Sequence, residues 1–253
     1  MNITRGEVER ITAKKYRELF RLRAEGKLDN MECTKSLYKI LEGLYFDGMR
    51  ILDIPCGVGH YFRKISELGD IHYVGVDRDL AAIEFAKNIW RDAPNTRFYV
   101  QDVFNCGLRD NHFDVVYSYN FLLHLNDYKA PLRELFRVCK RYVIVRSLFN
   151  EESSVNSYSV AEDYLNVYPS GKVYHNTYAR ESITEFLKEL GECRIRFIKD
   201  NSLIPQESIE KQATLLNVDP SEFSKGGNGQ KEYWKGFLSN YEVLFIEKSN
   251  RRN

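Results

Sequence analysis

Between residues 50 and 145, short apolar runs alternate with stretches of helical periodicity, and nothing else in the chain restricts the fold as strongly. Residues 50–54 are a short apolar run. Pro55, Cys56, Gly57, Val58 and Gly59 then form a turn, and a helical pattern follows to about Leu68. The rhythm returns with a run at 73–76 before a helix near 80–90, and with 97–100 before a brief irregular link. A run at 113–117 leads to a helix around 128–139, with Leu132, Leu135, Phe136 and Cys139 at helical spacing, and 142–145 reads as the fifth strand. Strands separated by helices predict an α/β fold with a parallel sheet.

The flanks read differently. Residues 5–46 carry two helical patterns, one through Tyr16, Leu19, Phe20 and Arg23, the other through Leu37, Ile40, Leu41 and Leu44. They predict an N-terminal helical cap, residues 1–48, over the carboxyl edge of a sheet domain spanning 49–253. Past residue 147 a polar, tyrosine-rich stretch runs to about Tyr178, before a helix over 181–190. Strands are expected at 193–198 and 241–247, joined by a connection that carries Pro205, Pro220 and a Gly226-Gly227-Asn228-Gly229 tip. The inserts at 149–178 and 201–238 hold Tyr158, Tyr164, Tyr168, Tyr174, Tyr178, Tyr233 and Trp234, either as aromatic walls for a polar metabolite or as core packing.

Composition narrows the partners. The chain has 253 residues, 43% hydrophobic, which suits one domain with appendages. Its 37 Lys and Arg balance 36 Asp and Glu, so no general field gathers nucleic acid or anionic lipid, and a small-molecule partner is expected instead. The five cysteines show no CxxC pair and no metal-ligand spacing, which predicts reduced thiols, a cytoplasmic setting and no metal site. No apolar leader or bilayer-length segment is present in the sequence, so no membrane attachment is expected.

In an open parallel sheet, ligands bind beyond the carboxyl ends of the strands, where strand order reverses. Gly57 and Gly59 occupy the first such turn, where the missing Cβ lets backbone approach a ligand and a helix N-terminus offers amides to an anion; a purely structural turn is the alternative. Asp77, twenty positions after Gly57, is placed to accept both hydroxyls of a ribose, with Arg78 beside it. Asp102 is placed to accept from an exocyclic amine such as that of adenine, leaving the Val103 amide for a ring nitrogen. Either aspartate taken singly is equally well read as a cap. Phe62 stands where a dinucleotide fingerprint needs its third glycine, and Asp53 adds a negative charge that suits a sulfonium better than a pyrophosphate.

Residues 51–59, Ile-Leu-Asp-Ile-Pro-Cys-Gly-Val-Gly, resemble the first motif of class I S-adenosylmethionine-dependent methyltransferases, with Pro55 in place of the commoner glycine. Asp77 is similar to that family's ribose-binding acid, Asp102 to its adenine-contacting acid, and Phe113-Asp114-Val115-Val116 to the start of its fourth strand. The resemblance covers 48–148 and implies a Rossmann-like, doubly wound, seven-stranded and mostly parallel sheet with an antiparallel last strand. It also implies S-adenosylmethionine as cofactor, its methionine end against Cys56, Gly57 and Gly59, with Asp53 ordering that turn and the region of Ser118, Tyr119 and Asn120 facing the amino acid moiety. Pro55 has no amide, so the cofactor carboxylate is expected to use the Gly57 or Gly59 amides or an arginine such as Arg23.

His124, just beyond the fourth strand, is the first candidate for a general base, and His175 the second; a packed structural histidine is the competing reading. Tyr117-Ser118-Tyr119-Asn120 stands where adenine-N6 and glutamine methyltransferases have Asp/Asn-Pro-Pro-Tyr, which argues against those acceptors. The segments 145–147, 174–190 and 233–238 resemble, loosely, methyltransferases of bacterial surface-glycan synthesis. They imply O-methylation of a sugar or sugar nucleotide. A small amine, a protein or RNA acceptor, and a non-catalytic cofactor-binding module are the alternatives.

Overall fold

The computed structural model describes residues 18–159, 172–200 and 241–249. Residues 18–24 are helical. There follow α1 (Glu32–Glu42), β1 (Met49–Asp53), α2 (Phe62–Ile65) with a 3-10 turn (Ser66–Leu68), β2 (Ile71–Asp77), α3 (Leu80–Ile89), β3 (Thr96–Val100) and β4 (Phe113–Tyr119). A 3-10 turn (Leu122–His124) precedes α4 (Lys129–Val138), β5 (Cys139–Asn150), a hairpin of β6 (Ser157–Ser159) and β7 (Lys172–Tyr174), β8 (Tyr178–Ala179), α5 (Arg180–Leu190), β9 (Cys193–Lys199) and β10 (Tyr241–Lys248).

The main path of the sheet runs β3-β2-β1-β4-β5-β10-β9, with β8 beside β5. Strands β1 to β5 pair in parallel, and β10 runs antiparallel to both β5 and β9, so the reversed strand is inserted one place in from the edge. This is the expected Rossmann-like, doubly wound arrangement. Strand alternation builds two cores. Met49 and Ile51 of β1, with Tyr117 of β4 and Val243 of β10, join Leu37, Leu41, Ile65 and Ile83 on one face. Leu52, Val116 and Leu244 join Leu132, Leu135, Ile183 and Leu187 on the other. β4 is buried along its whole length, as befits the centre of a sheet covered on both sides.

Three elements differ from expectation. The glycine turn is followed by only four α-helical residues and a 3-10 turn, so no long helix points its N-terminus at the crevice. β5 extends past Val145 to Asn150 because Tyr241, Glu242 and Val243 of β10 pair with Leu148, Ser147 and Arg146; those two polar residues interrupt the apolar pattern without interrupting the strand. The polar insert contains a short hairpin. The 201–238 insert, with Tyr233 and Trp234, lies outside the described residues, as do Tyr164, Tyr168 and Tyr16. Among the described residues no helix is long and apolar enough to cross a membrane.

Candidate functional site

Strand order reverses between β1 and β4, and the crevice outside their carboxyl ends is walled by the turn after β1. Gly57 has φ +54°, and a Cβ there would meet nothing within 4 Å, so this glycine borders open space. Gly59, at φ +71°, differs. Its Cβ would fall 2.9 Å from Phe98 and 3.0 Å from Trp90, so it lets the turn pack on β3 rather than approach a ligand. The turn amides are also committed. Cys56 N donates to the Val76 carbonyl at 2.8 Å, Gly59 N to the Cys56 carbonyl at 3.0 Å, and Gly57 N to Asp77 Oδ2 at 2.8 Å. The expectation that the Gly57 or Gly59 amide holds a carboxylate is therefore corrected. Cys56 is a buried packing thiol, pushed well above its ordinary pKa first by burial and then by the Asp53 and Asp77 charges.

Asp77 closes β2 at 9% exposure. Its Oδ1 accepts from Asp79 N at 2.9 Å while Oδ2 takes the Gly57 amide, and burial raises its pKa against the pull of those two amides. It is not the cap of α3: Asp79 fills that place, accepting from Ala81 N at 3.0 Å and Ala82 N at 3.3 Å. Asp102 lies two residues beyond β3, where Oδ1 accepts from Phe104 N at 3.0 Å. Asp77, Arg78, Asp102 and Val103 line one pocket with Pro55 and Phe121. Each carboxylate oxygen that accepts one amide retains a lone pair for a second donor.

Behind this pocket Asp53 is buried, 1% exposed. Tyr73 donates to its Oδ2 at 2.6 Å, and Oδ1 has no partner among the described residues. Burial raises its pKa to about 7, against the hydrogen bonds of Tyr73 and Tyr117. His60, just past the glycine turn, is buried between the Phe20 and Tyr61 rings, and neither ring nitrogen finds a partner among the described residues. Burial, then the nearby Arg23 charge, lowers its pKa to about 3. Buried polar atoms left open beside a turn are what a bound zwitterion would satisfy.

Ser118 and Tyr119 are buried on β4, their hydroxyls without a partner among the described residues, and as successive strand residues they point to opposite faces; neither lines the pocket of Asp77 and Asp102. Asn120 follows in the left-handed region, φ 56°, a conformation asparagine tolerates better than most residues. Its Nδ2 donates to Tyr61 Oη at 3.1 Å and its Oδ1 accepts from Arg146, which also pairs with Asp200 and stacks 3.8 Å over the Tyr241 ring. The sequence singled out Asn120 but not Tyr61, Arg146 and Asp200, which complete its cluster.

His124 and His175 come together, ring centroids 4.8 Å apart, although fifty-one positions separate them. His124 Nδ1 lies 2.9 Å from the Tyr174 carbonyl oxygen, and a carbonyl only accepts, so Nδ1 carries the proton and Nε2 the lone pair. Burial lowers the pKa of His124, and burial followed by the His124 charge lowers that of His175 to about 4; both rings are neutral at pH 7. Neither histidine is among the residues that line the pocket of Asp77 and Asp102.

Residues 52–145 match the model of a family described as a methyltransferase domain. A phosphoethanolamine N-methyltransferase of Triticum aestivum is 33% identical over 112 residues, 44% of this chain and 22% of that protein. A sterol 24-C-methyltransferase of Gibberella zeae is 32% identical over 97 residues, 37% of this chain and 26% of that protein. Thus the match spans about a quarter or less of either relative. In fold the chain is similar to a Haemonchus contortus phosphoethanolamine N-methyltransferase 2 solved with phosphomonomethylethanolamine and S-adenosylhomocysteine. The TM-score is 0.52 at 18% identity, covering 80% of this chain and 49% of that one.

Proposed function

We propose that the chain is an S-adenosylmethionine-dependent methyltransferase acting on a small polar acceptor whose reactive proton passes to His124. The observation that carries this reading is the meeting of Asp77 and Asp102, from the ends of neighbouring strands, in one pocket beside the open face of Gly57. The methyltransferase-domain match over the same strands supports it.

When bound, S-adenosylmethionine supplies an electrophilic methyl group on a sulfonium centre. Asp77 accepts from the ribose hydroxyls with the lone pairs its two amides leave free, and its tie to Gly57 N fixes the turn while it does so. Asp102 accepts from the adenine amine. Pro55, Val103 and Phe121 give the base an apolar slot. Asp53 opposes the positive end of the cofactor, and Arg23 and His60 lie by the turn for the carboxylate. His124 Nε2, which carries the lone pair, would accept the O–H or N–H proton that the acceptor must lose on methylation.

A sugar hydroxyl is the finer expectation from the sequence. Of the aromatic walls it invoked, Tyr178 is spent on backbone carbonyls. A small amine is the second reading, favoured by the phosphoethanolamine methyltransferases among the relatives. Methyl transfer from labelled cofactor to phosphoethanolamine, other small amines and sugar nucleotides decides between them. Calorimetry showing no cofactor binding would overturn the proposal; binding without transfer to any of these or to lysate fractions would leave a non-catalytic module.

A further inference from the structure

The turn that carries His124 is held by a segment some fifty residues away. A 3-10 turn such as Leu122–His124 leaves carbonyls that a longer helix would have paired. Asn176 N donates to the Leu123 carbonyl at 2.7 Å, and Asn176 Nδ2 to the Leu125 carbonyl at 2.7 Å. Tyr178 Oη lies 2.8 Å from the Leu125 carbonyl and 3.1 Å from that of Leu122. Asn176 Oδ1 accepts from Asn156 N at 3.1 Å, so the carboxamide cannot flip without setting acceptor against acceptor. Asn176 is 0% exposed, and the same segment delivers the Tyr174 carbonyl to His124 Nδ1 and the His175 ring to its face.

We propose that residues 174–178 are the positioning device of His124, with Asn176 and Tyr178 as positioning residues that hold Nδ1–H on the Tyr174 carbonyl and so present Nε2 as the proton acceptor. The assignment rests on the methyl-transfer reading above. Two residues along one extended segment fix the turn, while the Tyr174 carbonyl at the end of the hairpin sets the ring. A histidine side chain free in water prefers its proton on Nε2, so the tautomer reports the device directly. A purely structural clamp would lower stability when cut and leave the tautomer of the folded chain unchanged.

Nitrogen NMR of the full chain at neutral pH reads this, with His124 assigned through its loss in His124→Gln. The expected wild-type pattern is Nδ1 protonated and Nε2 bare. Asn176→Asp and Tyr178→Phe are expected to move the tautomer ratio by about tenfold, the worth of one net hydrogen bond, with cofactor affinity by calorimetry unchanged. Tyr178→Phe removes a single hydroxyl and carries the test if Asn176→Asp does not fold. A folded Tyr178→Phe chain that keeps the wild-type tautomer overturns the proposal. A wild-type chain that binds no S-adenosylmethionine overturns the methyl-transfer reading and the positioning role with it, and calorimetry on the wild type alone separates that failure from the first.

Discussion

On the β1–β3 side of the carboxyl edge, each pocket residue is delivered by the strand that ends beside it: Pro55 after β1, Asp77 at the end of β2, Asp102 just past β3. On the β4–β5 side Phe121 and Leu125 reach the same pocket from just past β4, but the polar groups beside them depend on distant segments. His124 takes its orientation from Tyr174, its turn from Asn176 and Tyr178, and Asn120 its partners from Tyr61 and Arg146. A strand end can hold a cofactor with few long-range contacts, whereas an acceptor site must be closed from elsewhere in the chain. One half is set by the sheet, the other by what is draped over it.

Separability is the sharpest consequence. His124→Ala is expected to lower the methyl-transfer rate by about 10²–10⁴-fold, the usual worth of a general base, with cofactor affinity unchanged. Single-turnover kinetics and calorimetry on the same variant check both parts. A matching loss of affinity would mean that the two halves are one unit. Asp77→Ala should do the reverse, weakening S-adenosylmethionine by about a hundredfold, since it removes charge-assisted hydrogen bonds to the ribose and frees the Gly57 amide. Equal affinity in calorimetry would sink the ribose assignment. Asp102→Ala, which loses one bond to an amine at a half-open site, should cost about tenfold.

The same contrast decides what could be read from the sequence. The strands β1 to β5, the Gly57 turn and the two aspartates were legible because each is a local pattern, a short apolar run with its polar residue at the end. β5 was read short because Arg146 and Ser147 are polar although β10 pairs with them. The Gly59 role was misread because glycine signals a close approach without naming what approaches, here Phe98 and Trp90. His60 carried no signal beyond its place after a glycine turn. Asn120 had one, an asparagine directly after a strand, where a left-handed residue ends the run. Asn176 and Tyr178 had none, since the turn carbonyls they bind lie fifty or more positions earlier and such pairings leave no periodicity.

The smallest expected effect concerns Asp53, which sits behind the cofactor half and should tune it with pH. Its folded pKa, about 7, lies above the ordinary 3.8, so the folded chain holds a proton there that the unfolded chain has lost. That raised value adds stability at acid pH, and the advantage is lost as pH rises from 3.8 through 7. Cofactor affinity should move the opposite way, because only the ionised carboxylate attracts a sulfonium. At pH 6 about nine-tenths of the groups are protonated, so affinity there should be up to about tenfold below its value at pH 8. His60 and His175 titrate near 3 and 4, outside this window. Calorimetry from pH 6 to 8 should give a slope for wild type, a flatter line for Asp53→Asn, and a flatter line for S-adenosylhomocysteine, which lacks the sulfonium charge. Equal slopes for the two nucleosides would place the charge-sensing group away from the sulfur, and the burial of Asp53 would then serve only the Tyr73 and Tyr117 network beneath the turn.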